Sequence, residues 1–257
     1  MRAPRAERGF WSSLRIRYAL TSTLARPTLE LLLSLFSDPQ AVARYAEGPV
    51  RQVPGFHALQ QMAALLLAEV VPKDGQVLVL GAGGGLELKA FAERQAEWRF
   101  VGVDPSAEML KLARATLGTL ASRVELHEGY IDSAPMGPFD GATCLLTFHF
   151  LTAEERLHTL KELRRRLKPG APLITAHHSF PQADGGKVRW LSRYAAFAAS
   201  SGVPEMNAKK AIEAMSSRLP LLSPEEDEAL LRQAGFDAIE LFYAAFTFRG
   251  WVAYNPS

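Results

Sequence analysis

One cysteine, Cys144, is the whole thiol content of this chain, so no intrachain disulfide can form and no cysteine-based metal cluster can assemble within one subunit. A reducing, cytoplasmic setting is the expectation. Long apolar runs are missing too: the strongest, residues 29–36, is interrupted by Glu30 and falls well short of the roughly 20 residues that cross a bilayer. No membrane partner is expected. Internal repeats and low-complexity tracts are absent, and charged residues make up 22% against 48% hydrophobic, which excludes a disordered chain. What remains is a chain of 257 residues, long enough for one large core.

An excess of one charge sign is also lacking, the formal net charge being +2. The distribution is uneven, because residues 1–27 hold six arginines and a single acid, Glu7, leaving 23 basic against 26 acidic residues in the rest. A mitochondrial presequence, an anionic-surface contact and the solvated face of a leading helix all fit such a terminus. The last is the preferred reading, since a body of net negative charge has little general attraction for nucleic acid.

Along the chain, Leu59, Met62, Leu66 and Val70 recur at helical spacing until Pro72 ends the pattern. Residues 76–80, QVLVL, form a short β-branched run of the kind buried in a parallel sheet. Helical and strand patterns then alternate: helix 86–95, strand 98–103, a helix capped by Ser106, strands at 124–127 and 141–146, helix 153–168 and strand 172–176. Such alternation predicts a parallel sheet with helices on both faces. Residues 181–222 break it with helical pieces rich in Trp190, Tyr194 and Phe197, and read as an inserted lid. A helix at 224–233, stopped by Gly235, leads to two closely spaced apolar runs at 238–244 and 247–254, which demand an antiparallel hairpin at the sheet edge.

Glycines at 81, 83 and 85, between a buried strand and a helix, let the backbone turn tightly beneath a ligand. Asp104 ends the second strand near the spacing at which a carboxylate accepts the two hydroxyls of an adenosine ribose. A dinucleotide fold wants a small residue at position 86, where this chain has Leu86.

The spacing Gly81-Ala82-Gly83-Gly84-Gly85 instead resembles motif I of the class I S-adenosylmethionine-dependent methyltransferases. Asp104-Pro105-Ser106-Ala107-Glu108-Met109-Leu110 resembles the family's second motif, Phe139-Asp140-Gly141-Ala142 its entry to the fourth strand, and Leu167-Lys168-Pro169-Gly170-Ala171 its turn into the fifth. A closer likeness is to the branch that makes carboxy-S-adenosylmethionine for tRNA wobble-uridine modification, through Arg51-Gln52-Val53-Pro54-Gly55-Phe56, Thr147-Phe148-His149-Phe150-Leu151 and Ala234-Gly235-Phe236.

The resemblance implies a Rossmann-like, doubly wound α/β fold with a seven-stranded sheet and an antiparallel C-terminal hairpin. Residues 1–58 would form an N-terminal helical extension or lid, and residues 59–257 the methyltransferase domain, with the helical insertion at 181–222. It places Phe56 near the cofactor, Gly81, Ala82 and Gly83 under its methionine part, Asp104 and Pro105 at the ribose, and Tyr130 and Ile131 at the adenine, with Met109 and Thr147 also in the binding set. Three positions depart from the pattern: Val79 replaces the usual acid before the first glycine, Tyr130 an adenine-contacting Asp, and Leu145 an Asn of the tRNA branch. Glu87 is the nearest substitute for the missing acid; its other reading is a first-turn carboxylate favoured by the helix dipole.

No clean match exists for the arginine with which the tRNA branch holds its extra carboxylate, since that region offers Lys209 and Lys210. Plain S-adenosylmethionine is therefore the expected cofactor, with S-adenosylhomocysteine as product and a small-molecule acceptor as partner. A tRNA-modification role, a catalytically silent binding module and a homodimer stay open. His149 and His177 are the candidate general bases, with His149 preferred as the catalytic residue; wall-forming roles are the alternative for both. His177 and His178 are adjacent on a strand and would point to opposite faces. The Trp190, Tyr194 and Phe197 stripe is either core or the roof of an acceptor pocket, and Arg164-Arg165-Arg166 reads as a solvated helix end.

Overall fold

The computed structural model describes residues 47–257; residues 1–46, with the Arg-rich segment and the apolar run at 29–36, lie outside the described residues. The chain runs α1 (Glu47–Gln52), α2 (Phe56–Ala68), β1 (Gln76–Leu80), α3 (Leu86–Arg94), β2 (Arg99–Asp104), α4 (Ala107–Leu117), β3 (Val124–Glu128), β4 (Gly141–Leu145), α5 (Ala153–Arg166), β5 (Pro172–His178), α6 (Gly186–Ser200), α7 (Glu205–Arg218), α8 (Pro224–Ala234), β6 (Asp237–Ala245) and β7 (Phe248–Tyr254). Helix starts follow local chemistry. Ser106 Oγ accepts from the Met109 N–H, and Thr152 with Glu155 and Ser223 with Glu226 form reciprocal capping boxes that occupy otherwise orphaned amides.

The seven strands form one sheet in the order β3-β2-β1-β4-β5-β7-β6, parallel through β5 and antiparallel in the final hairpin. This is the doubly wound Rossmann-like arrangement. Alternate residues of β1 serve two cores: Val77 and Val79 join Leu59, Ala63, Leu67 and Phe91 from α2 and α3, while Leu78 and Leu80 join Leu160, Leu163 and Leu231 from α5 and α8. The chain reverses direction across the sheet between β1 and β4, so their C-terminal ends flank the crevice where such sheets take ligands.

Several boundaries shift by one to three residues from the sequence reading, and two of the shifts bear on the site. Helix α2 starts at Phe56 rather than Leu59, immediately after the left-handed Gly55, and ends at Ala68. Strand β5 runs two residues past Ala176, because the returning β7 pairs His177 with Arg249 and His178 with Phe248. The inserted segment leaves and re-enters beside β5, where Ser179 bridges to Leu222, and supplies α6 and α7. Helix α1 packs against α6, so the end of the N-terminal extension touches the insertion.

On the α5/α8 face sits a buried ionic cluster that the sequence does not announce. Arg156 and Asp227 are 1% and 2% exposed and form an ion pair, and Arg156 Nη2 also donates to the Leu151 and Pro220 carbonyls. His177 Nε2 lies 3.2 Å from Asp227 Oδ2. Burial opposes the Asp227 charge, yet His177 and Arg156 outweigh it and hold the carboxyl below its ordinary range. The arginine run at 164–166 is likewise not a uniformly solvated turn: Arg166 is 1% exposed and donates to the Glu162 carboxylate and to the Glu162 and Ala134 carbonyls. Its aliphatic stem fills the core while its head finds acceptors.

Removing the carboxylate from this cluster strands the Arg156 charge in the interior. Asp227→Ala is expected to cost about 3–5 kcal/mol of folding stability. Urea denaturation measures it; a loss below about 1 kcal/mol would show that the pair does not hold α5 to α8.

Candidate active site

The glycine loop leaves β1 and is fastened at once to the neighbouring strand, the Gly81 and Ala82 amides donating to the Val103 carbonyl at 2.8 and 3.0 Å. Gly81 has φ +78°, and a Cβ there would fall 2.0 Å from Thr147 Oγ1. Only glycine fits between β1 and the β4 exit. Gly85 has the same φ, but its missing Cβ makes room for α4, whose Ala113 Cα would be 2.8 Å away. Gly85 thus serves the turn into α3 and its packing against α4.

Asp104 is half-buried and brackets the loop. Its Oδ2 accepts from the Gly83 amide and its Oδ1 from the Ser106 amide, both at 2.9 Å. Desolvation raises its pKa, against the lowering effect of the Ser106 and Gly83 bonds. Each oxygen keeps a lone pair, so the carboxylate can still accept two hydroxyls. Pro105 and the buried Met109 follow at the head of α4, and the Gly129 amide donates to the Asp104 carbonyl at 3.1 Å, which brings Tyr130 and Ile131 to the same end of the sheet. Tyr130 is 46% exposed, whereas Ile131 is buried against Leu80 and Val103.

Beside the loop lies a cleft open to solvent, lined by Phe56, Leu59, Gln60, Gly81, Ala82, Gly84, Leu86, Glu87, Leu145 and Leu146. Phe56, Gly81, Ala82 and Glu87 thus meet as the sequence reading expects. Glu87 is 7% exposed, and its carboxyl accepts a hydrogen bond from Thr143 Oγ1 on β4. Burial pushes its pKa up to about 8, with Thr143 opposing the shift. Val79, at the position of the missing acid, is fully buried in the apolar core.

Three lining or supporting groups escaped the sequence reading. Thr143 is the one hydroxyl in an otherwise apolar strand, and Gln60 is a buried amide on the core side of α2. Either could have been found as a polar interruption of an apolar pattern. Leu146 has φ +58°, a strained conformation for a branched side chain, and its amide donates to the Ala176 carbonyl at 2.6 Å; no sequence feature signals this.

His149 is not among the residues lining the cleft. It lies in the turn after β4, 6% exposed, with its ring 4.8 Å from His178 and 4.3 Å from Phe150. Burial, then the neighbouring His178, His177 and Arg156, hold its pKa well below the ordinary value, so the ring is neutral, and its Nδ1 makes no hydrogen bond among the described residues. His178 stacks on Phe248, meets Tyr194 edge-on and approaches Thr247 Oγ1 at 2.9 Å, while His177 faces Asp227, Phe148 and Trp251. The two do point to opposite faces. Of the aromatic stripe, Tyr194 is buried in the core, whereas Trp190 is half-buried between Arg193 and Arg249.

Residues 77–170, which hold the loop, Asp104 and His149, match the family model described as a methyltransferase domain. Carboxy-S-adenosyl-L-methionine synthase from Wolinella succinogenes is 27% identical, over 88% of this chain and 95% of that protein. The enzyme of the same name from Chromohalobacter salexigens is 26% identical, over 99% of this chain and 95% of that protein. Among solved structures, human N-acetylserotonin methyltransferase in complex with SAM superposes with a TM-score of 0.62 at 16% identity, covering 89% of this chain and 59% of that longer one. An O-methyltransferase family protein from Burkholderia thailandensis gives 0.62 at 17% identity, covering 86% and 61%. These two show the fold.

Sheet order, glycine loop and matched domain together define a nucleotide-type enzyme of the Rossmann-like class. Residues 77–170 match a methyltransferase domain, and that match, the relatives and the fold together support an S-adenosylmethionine-dependent methyltransferase with S-adenosylmethionine as its cofactor. The residues present fit that molecule: the cleft runs along the glycine loop, Asp104 offers acceptors for hydroxyls, and Glu87 is, among the described residues, the one ionisable side chain lining the cleft. No helix of the described residues is long and apolar enough to cross a membrane.

The packing role of Gly85 gives a measurable consequence. Gly85→Ala combines left-handed strain, about 1–3 kcal/mol, with overpacking against Ala113, so Tm should fall by several degrees even with no ligand present. An unchanged Tm would mean that α3 and α4 are not in contact there.

Proposed function

We propose that this methyltransferase acts on a small-molecule acceptor seated beyond the C-terminal ends of β4 and β5, beneath the inserted helices. One observation carries the reading: among the described residues, the cleft is lined by a single acid and by no cationic side chain. A carboxylated sulfonium brings an additional negative charge that would be left without a partner there. Lys209, from the region expected to hold that carboxylate, pairs instead with Glu205 on the outside of α7 at 2.8 Å and is 64% exposed. The names of the curated relatives support the carboxy-S-adenosylmethionine alternative, and the apolar Leu145 and Leu146 wall weighs against it.

When bound, S-adenosylmethionine supplies a sulfonium methyl open to attack by a nucleophile. Asp104 would hold the ribose, the glycine loop and Phe56 the methionine part, and Tyr130 with Ile131 the adenine. Positioning of this kind is worth about 7–11 kcal/mol in favourable cases. His149, neutral and with Nδ1 unengaged among the described residues, would take a proton from an acceptor that must lose one. The contact of α1 with α6 supports closure of the N-terminal extension and the insertion over the acceptor, which would exclude water.

Mass spectrometry of the nucleotide that copurifies should find S-adenosylmethionine or S-adenosylhomocysteine; a carboxylated sulfonium would overturn the reading. Asp104→Ala is expected to weaken S-adenosylhomocysteine binding about 10- to 150-fold, the equivalent of about 1.5–3 kcal/mol for hydrogen bonds to a charged group; calorimetry showing unchanged affinity in a folded mutant would remove Asp104 from the site. His149→Ala should lower kcat by about 10²-fold or more with the affinity for S-adenosylhomocysteine unchanged. Because the imidazole pKa is depressed, wild-type activity should show no histidine step near pH 6.5. A step there would assign proton transfer to another group.

A further inference from the structure

The cofactor's methionine end carries an ammonium, and the position where a strand acid would meet it is occupied by Val79, which is fully buried. Among the described residues, the side chains around the cleft are aromatic, aliphatic or amide except for Glu87, which reaches it from the first turn of α3. Thr143 Oγ1, on the adjacent strand β4, donates to one carboxyl oxygen and thereby fixes the orientation of the group. We propose that Glu87, steadied by Thr143, is the carboxylate that receives the cofactor's ammonium, and that it gives up a proton to solvent as the ammonium arrives. The inference rests on the S-adenosylmethionine site described above and names the residue that makes binding proton-linked.

The surroundings of Glu87 account for the coupling. On β4 its hydrogen-bond partner is Thr143, which opposes the effect of burial. From α2 the cleft receives Gln60, an uncharged amide, and from the loop only backbone and Ala82. No cation among the described residues offsets the charge, so burial dominates and the free protein holds the carboxyl protonated at neutral pH, its pKa being about 8. An ammonium seated against it favours the ionised form. The balance is one proton: the neutral carboxyl becomes carboxylate, the proton passes to buffer, and the ligand's charge is unchanged.

The test is titration calorimetry of S-adenosylhomocysteine at pH 7 in buffers of different ionisation enthalpy, which counts the protons released on binding. The wild type should release close to one proton per ligand, falling as pH rises past 8. Glu87→Gln, which keeps the shape and a hydrogen bond to Thr143, should release essentially none. Thr143→Val, which removes the bond that lowers the Glu87 pKa, should move the midpoint of release to higher pH. 5′-Methylthioadenosine, with the nucleoside and sulfur but no amino acid, should bind the wild type without release. Binding of S-adenosylhomocysteine without proton release, or equal release by wild type and Glu87→Gln, overturns the role of Glu87 and leaves the cofactor site standing. Failure of both ligands to bind the folded wild type overturns the site and this inference together.

Discussion

The arrangement at the crevice depends on how closely the 81–85 loop lies against its neighbours. Two amides are tied to the Val103 carbonyl, a third to Asp104, Thr147 sits where a Cβ of residue 81 would be, and α4 sits where a Cβ of residue 85 would be. The loop therefore cannot shift without disturbing β2, the β4 exit and α4 at once. Its amides and the Asp104 carboxylate are held in place before any ligand arrives, so binding need not supply the cost of ordering them.

That constraint also explains what the sequence could and could not reveal. Glycines between a buried strand and a helix are legible because few other uses demand four of them in five positions, and Asp104 is legible because strand ends have a short list of tasks. The sheet, its helices and the final hairpin follow from periodicity alone. By contrast, the division of labour within the loop is invisible: Gly81 answers to Thr147 and Gly85 to Ala113, contacts that span 66 and 28 positions of chain. The extension of β5 to His178 was missed for a similar reason, because it is paired by a strand that arrives more than 60 residues later. The burial of Arg156, Arg166 and Asp227 was equally hidden, since a charged residue on a helix looks solvated until its partner is placed.

Strand β5 separates two polar environments with opposite characters. On one side His177 joins Arg156 and Asp227 in a cluster whose charges balance; on the other His178 and His149 sit among Tyr194, Phe248 and Phe150 with no carboxylate among their ring and hydrogen-bond partners. The first is built for cohesion between α5 and α8, and its ionic pairing requires that no member be lost. The second keeps both imidazoles neutral through desolvation. Of the two histidines at the strand end, only His178 is thus on the side of the inserted helices, which makes His177 a structural group rather than a candidate base.

The acid that accompanies the glycine loop illustrates how a site can keep its charge while changing its address. An acid at position 79 would issue from the middle of the sheet into a core filled by Leu59, Ala63 and Phe91; Val79 instead packs there without cost. Glu87 issues from the first turn of a helix, where the aligned amides favour a negative charge, and reaches the same loop from its other side. On the proposed assignment, the exchange would improve the packing beneath β1 and leave a carboxyl whose ionisation depends on a cationic ligand. A cleft with that single acid, apolar walls at Leu145 and Leu146 and no lining cation among the described residues is matched to a ligand of net positive charge. S-adenosylmethionine, with sulfonium and ammonium against one carboxylate, has that charge, whereas adding a second carboxylate to it would cancel the match.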